Sequence, residues 1–222
     1  MIPKVLYVNL DRSIDRKTAF EKQAAERGIT AERFSAISSE EIDQYVHGWK
    51  STNLTASEVG CLVSHLEIAR LHGNEPMLVF EDDVSFEAMD YWGFSLEDAL
   101  SVIPKDWSVV QLAVFPPVDT LRYVKWESGR FGTVAYLMRP ERAFELVSKA
   151  YVDGKWDLHK LPSRYSRPMA DSVLYAHTSS YSIPLFGILD VPSVIQYSQP
   201  HGHYGKQVVQ RWKNSTITLK DL

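Results

Sequence analysis

Apolar positions recur along this chain in two rhythms, one suited to strands and one to helices. The run KVLYVNL (residues 4–10) is short, β-branched and aromatic, which predicts a buried strand. DRSIDRKTAFEKQAAERG follows it. There Ser13 stands as an N-cap, Phe20 and Ala24 lie four apart and Gly28 is the stop, so the segment predicts a helix. RFSAI (33–37) is a second strand candidate. LTASEVGCLVSHLEIARLHGN opens with Thr55 and Glu58 in a capping box and carries Val59, Leu62, Val63, Leu66 and Ala69 at helical spacing. MLVF (77–80), WSVVQLAVF (107–115) and TVAYLM (133–138) read as further strands. The last of these precedes a helix over 140–150 with Pro140 in its first turn. Strand alternating with helix predicts parallel pairing through crossovers, and hence an α/β sheet with ligands beyond the carboxyl ends of its strands. The last third, rich in Pro and short strands, reads as antiparallel additions and loops over that sheet.

One such strand end carries Glu81, Asp82 and Asp83 in a row. In an extended segment alternate side chains share a side, so Glu81 and Asp83 are expected together and Asp82 opposite. Two such charges ~4 Å apart repel by roughly 4 kcal/mol at an effective dielectric near 20. A bound cation relieves this, as does protonation of one member. Carboxylate oxygens suit Mg2+ or Mn2+, ions that commonly take a substrate phosphate as a further ligand. The bland alternative is a solvated acidic turn.

Composition narrows the classes. A length of 222 residues fits one domain, and 45% hydrophobic residues are enough for a real core. With 24 basic against 28 acidic residues the net charge is -4, which argues against a general nucleic-acid coat. Cys61 is the only cysteine, so an internal disulfide and a thiolate-rich zinc site are excluded. The opening MIPKVLYVNL has no signal-peptide pattern and no run approaches the ~20 apolar residues of a membrane span, so the expectation is a cytoplasmic protein.

YVNLDRSIDRKTAFEKQAAERGI with RFSAI, then LTASEVGCLVSHLEIAR, then MLVFEDDVSFE resemble, in that order, glycosyltransferase family 25. That family includes bacterial lipooligosaccharide glycosyltransferases and procollagen galactosyltransferases. The likeness is dense over residues 5–87 and weaker through FGTVAYLMRPERAFELV and RPMADSVLY. It implies an α/β, GT-A-like nucleotide-sugar-binding fold, with a mostly parallel central sheet, antiparallel additions and flanking helices. A single domain over 1–222 is expected, with a nucleotide-sugar half (1–115) and an acceptor half with a C-terminal lid or tail (116–222). The resemblance also implies a nucleoside-diphosphate sugar donor, often UDP-galactose, and a divalent metal held by an acidic motif. The acceptor would be a glycan, a lipooligosaccharide or a protein. Glu-Asp-Asp stands where the family's D-x-D-like motif falls, which leaves open whether Glu81 ligates directly or through water. Ala56-Ser57 replaces a common Pro-Gly.

Residue roles follow by the same resemblance. Asn9, Leu10, Arg12 and Arg16 match the first block, where backbone N–H groups and guanidinium forks hold a nucleotide diphosphate; Asp82 joins them on the donor side. Asp83 and Glu81 are the expected metal ligands. By analogy with metal-dependent GT-A enzymes, His203 or His201 completes the shell and a C-terminal loop closes over the diphosphate. Asp171 is the expected base toward the acceptor hydroxyl in an inverting transfer, with Asp190 as competitor and an N-cap for a helix over 172–177 as its structural alternative. A Cys–His pair on adjacent turns of one helix rarely orients a thiol and a base for attack. Cys61 and Ser64 are therefore read as small packing residues and His65 as a hydrogen-bonding group near the donor. Trp92, Trp126 and Trp156 are read as acceptor-stacking surfaces or as core. The basic C-terminal stretch (Lys206, Arg211, Lys213) offers peripheral contact with an anionic membrane. Two further readings stay open: a donor-binding domain without activity, and a metal-dependent phosphoester hydrolase.

Overall fold

A computed structural model describes residues 2–117, 119–163, 167–176, 179–191 and 202–222. The strands are β1 (Lys4–Asn9), β2 (Glu32–Ser35), β3 (Val46–His47), β4 (Met77–Glu81), β5 (Val84–Ser85), β6 (Val109–Gln111), β7 (Val124–Lys125), β8 (Ala135–Met138), β9 (Tyr151–Val152), β10 (Lys155–Asp157), β11 (Ser180–Ser182) and β12 (Gly187–Ile188). The helices are α1 (Ile14–Glu26), α2 (Ile42–Tyr45), α3 (Ala56–Leu71), α4 (Leu96–Ser101), α5 (Pro140–Val147), α6 (Ala170–Leu174) and α7 (Gly202–Lys213), with short 3-10 turns between them.

The main sheet has seven strands in the order β2-β1-β4-β8-β6-β11-β7. β1 lies parallel to both β2 and β4, β8 runs antiparallel between β4 and β6, β11 is parallel to β6, and β7 closes the edge antiparallel. The fold is thus α/β with a mixed sheet and flanking helices, consistent with a GT-A-like glycosyltransferase fold. Its two sequence halves interleave, because β8 sits between strands from the first 115 residues.

Three apolar clusters hold the layers. One face of the sheet packs α1 and α7 through Phe20, Phe80, Phe86, Phe186 and Trp212. A second cluster carries the buried face of α3 with Trp156, and a third joins β1, β4 and β8 to α5. α3 keeps its predicted capping box, with Glu58 N–H donating to Thr55 Oγ1 and Thr55 N–H to Glu58 Oε2. Gly28 ends α1 as expected, at φ 66°.

Several local expectations are corrected. Ser13 stands at the N-cap position of α1 but its side chain caps nothing. The strand expected over 107–115 stops at Gln111, because the N–H groups of Leu112 and Ala113 both turn to the Ala135 carbonyl and end the ladder. Asp171 is inside α6 rather than its N-cap, a place taken by Met169. The C-terminal basic stretch is no solvated tail: α7 docks, Trp212 is 1% exposed, and its Nε1–H donates to the Pro184 carbonyl at 2.8 Å. Gly205 permits that docking, since a Cβ there would lie 2.1 Å from the Ile188 carbonyl oxygen. Lys206 and Arg211 pair with Asp190 and Asp119, each at 3.2 Å.

Candidate active site

Sheet register builds the site. Val8 pairs with Glu81 in the parallel β1–β4 ladder, so Asn9 falls beside Asp82. Asn9 Nδ2 donates to Asp82 Oδ2 at 2.6 Å and to the Ser13 carbonyl at 3.1 Å, while Arg33 Nε donates to Asn9 Oδ1 at 3.0 Å. One amide thereby ties two strands and the entry of α1 to the acidic triplet. Arg16, near the start of α1, meets Asp82 Oδ1 at 2.5 Å and Asp83 Oδ2 at 2.6 Å through the same Nη2. The expected alternation fails here. The strand ends at Glu81, the chain turns at Asp82 and Asp83, and both aspartates reach one guanidinium while Glu81 takes its hydrogen bonds from other partners.

Glu81 is claimed from the other side. In the antiparallel β4–β8 register Phe80 pairs with Ala135, and Glu81 N–H donates to the Val134 carbonyl, so Thr133 borders Glu81. Thr133 Oγ1–H donates to Glu81 Oε1, and His65 Nε2 lies 3.3 Å from the same oxygen. His65 Nδ1 is 2.8 Å from the Tyr136 hydroxyl. Burial opposes ionisation of Glu81, but His65, Thr133 and the Arg16 charge outweigh it and hold the carboxyl below its usual range. Asp83 goes the other way. Burial and the Glu81 charge push its carboxyl up to about 7 despite Arg16. Burial likewise raises Asp82 above the ordinary range against the pull of Arg16 and Asn9.

Asp171 completes the group. Its Oδ2 accepts from Gly132 N–H at 2.9 Å and its Oδ1 from Ser172 N–H at 2.6 Å, and burial raises its carboxyl. Gly132 needs its glycine twice over: φ is 102°, and a Cβ would meet the Phe115 ring at 2.6 Å.

These groups line one cavity of about 600 Å³. Of the residues expected from sequence, Asn9, Leu10, Arg12, Arg16, His65, Glu81, Asp82, Asp83 and Asp171 all border it. His203 does not; it is exposed on α7, and its neighbour Tyr204 is the residue facing the cavity. Asp190 is exposed and held by Lys206. Trp126 and Trp156 are core residues, and Trp92 packs on Phe186 and Trp212. His201 lies outside the described residues.

The sequence model of glycosyltransferase family 25, described as an LPS biosynthesis protein, matches residues 2–153. The chain belongs to glycosyltransferase family 25. Membership gives it a glycosyltransferase role in LPS biosynthesis. A comparison with curated proteins finds no match. No helix of the described transferase residues is long and apolar enough to cross a membrane.

The matched segment holds the acidic triplet, Arg16 and His65 but stops short of Asp171, α6 and α7. A divalent cation fits what the transferase presents. Asp83 Oδ1 is buried without a hydrogen-bond partner among the described residues, and an orphaned carboxylate oxygen is costly unless a cation or proton meets it. Arg16 Nε and Nη1 are similarly buried and unmatched, two donors suited to an anion. Sequence reasoning missed Thr133, Gly132, Tyr136, Phe131 and the Glu58–Arg167 pair (2.7 Å). The first two lie at the entry to the strand expected over 133–138, but only its antiparallel pairing with β4, a long-range contact, brings them to Glu81.

Proposed function

We propose that this transferase moves a hexose from a UDP-linked donor, galactose being the first to test, to an acceptor hydroxyl with inversion at the anomeric carbon. One observation carries the reading: a cation-hungry carboxylate group, a half-buried arginine with two buried, unmatched nitrogens and a separate half-buried carboxylate share one cavity beyond the ends of β1 and β4. Glu81 and Asp83 would hold a Mn2+ or Mg2+ ion. When bound, it supplies charge neutralisation to the departing diphosphate.

The chain's own residues do the rest. Asn9 and the backbone at Leu10 border the donor, and Arg12, 54% exposed at its side chain, can turn from Glu40 toward phosphate. Arg16 offers Nε and Nη1 to diphosphate oxygens where charge grows as the sugar–oxygen bond breaks. His65, held by Tyr136, keeps Glu81 in place. Asp171 takes the proton from the acceptor hydroxyl as that oxygen bonds to the anomeric carbon, and UDP leaves from the opposite face. Burial raises the Asp171 carboxyl above the ordinary range, which makes it a stronger base than a solvated aspartate. Phe115, Phe131 and Tyr204 form an aromatic wall on which an acceptor sugar can stack.

Incubation with UDP-galactose and Mn2+, with and without glycan acceptors, tests this. Release of UDP with a new conjugate supports transfer. Attack on simple phosphoesters would make the chain a hydrolase, and donor binding with neither product would make it a binding domain. Asp171→Asn is expected to lower turnover by a factor of about 10²–10⁴ while donor affinity holds; near-normal turnover would remove Asp171 as the base.

A further inference from the structure

The cavity holds a thiol, Cys61, that the transfer reading leaves unused and that stands beside two groups it does use. Cys61 and His65 are four apart on α3, so they face the same way. The Cys61 Sγ, a His65 ring nitrogen and a Glu81 oxygen all lie within 4.8 Å of one another. Ligands of one tetrahedral zinc-like ion, bound at about 2.0–2.3 Å, stand about 3.3–3.8 Å apart, so small side-chain rotations close the set. We propose that Cys61, His65 and Glu81 form a binding site for a thiophilic divalent ion of the zinc class, alternative to the carboxylate site because both draw on Glu81.

Three observations support it. A thiolate, an imidazole and a carboxylate are the donor set of Zn2+ or Co2+, not of Mg2+. The outer partners exist already: Thr133 holds Glu81, and the Tyr136 hydroxyl at His65 Nδ1 can donate or accept. It therefore serves the tautomer that frees Nε2 for a metal, the usual second layer around a ligating histidine. The third is Asp83, 9% exposed, whose Oδ1 has no partner among the described residues and which borders the same cavity. Burial, and then the charges of Glu81 and Asp171, push the Cys61 thiol up in the metal-free chain, and a dication relieves that charge. On binding, the thiol proton passes to solvent and a metal–sulfur bond replaces the S–H bond.

Because Cys61 is the sole thiol, cobalt decides the matter without an activity assay. Titration of the metal-free chain with Co2+ is expected to give a near-ultraviolet thiolate-to-cobalt charge-transfer band saturating at one ion per chain and erased by Zn2+. Cys61→Ser should abolish the band, His65→Gln should weaken cobalt affinity about ten-fold or more, and Asp83→Asn should keep the band. Cobalt bound without that band would place the ion on the carboxylates alone and overturn the site. So would a band saturating at half an ion per chain with dimers on gel filtration, the sign of two chains bridged through Cys61. The wild-type spectrum and stoichiometry decide even if Cys61→Ser does not fold, and none of these outcomes depends on sugar transfer.

Discussion

Asp83 shows how a single carboxylate can be out of balance in the resting chain. Its pKa rises from the usual 3.8 to about 7, chiefly through burial and then through Glu81. Between those values the folded chain holds a proton that the unfolded chain has released, so this group's contribution to stability falls as pH rises from about 4 toward 7. In metal-free buffer the melting temperature of Asp83→Asn, relative to wild type, should therefore climb between pH 4 and pH 8. An advantage that shrinks over that range would contradict the assignment. At this scale the sequence was informative about identities but not about partners. Eight of the cavity's acidic, basic and polar residues could be named beforehand, some because they crowd the ends of β1 and β4 and the others, Arg16, His65 and Asp171, through the family resemblance. That Arg16 holds both aspartates and Thr133 holds Glu81 depends on a turn and a strand register that no local pattern encodes.

Among elements, the short entry to β8 does more than its length implies. Phe131 lines the cavity, Gly132 N–H holds Asp171, and Thr133 holds Glu81. Three consecutive residues thus set the spacing between the proposed base and the acidic triplet. Gly132→Ala should destabilise the fold by about 1–3 kcal/mol from its left-handed backbone, with the clash against Phe115 added. It should also lower turnover more than donor affinity, since relief of the strained backbone moves the residue-132 N–H away from Asp171; chemical denaturation and steady-state kinetics separate the two effects. Helices with clear caps and stops were legible: α1 ends at Gly28 and α3 begins at its capping box. Strand ends were not, because β6 stops where two N–H groups share one distant carbonyl.

For the whole molecule, the docking of α7 is what the C-terminal composition concealed. Its basic and polar residues read as a tail, yet Val208 and Trp212 are buried against Phe186 and the far face of the sheet. Trp212→Ala should cost about 3–5 kcal/mol of unfolding free energy, measured in urea. A loss of donor affinity with unchanged stability would instead mark this helix as a lid. The α/β class was readable from alternation alone, whereas the antiparallel insertion of β8 was not, since strand order is decided by long-range contacts.

That insertion has a consequence for biogenesis. Among the described residues, β6 finds its neighbouring strands only in β8 and β11, both later in the chain. A nascent polypeptide halted before residue 135 can assemble only the β2-β1-β4 wing. The acidic corner would then stand half walled, and catalytic competence must await the carboxyl-terminal third.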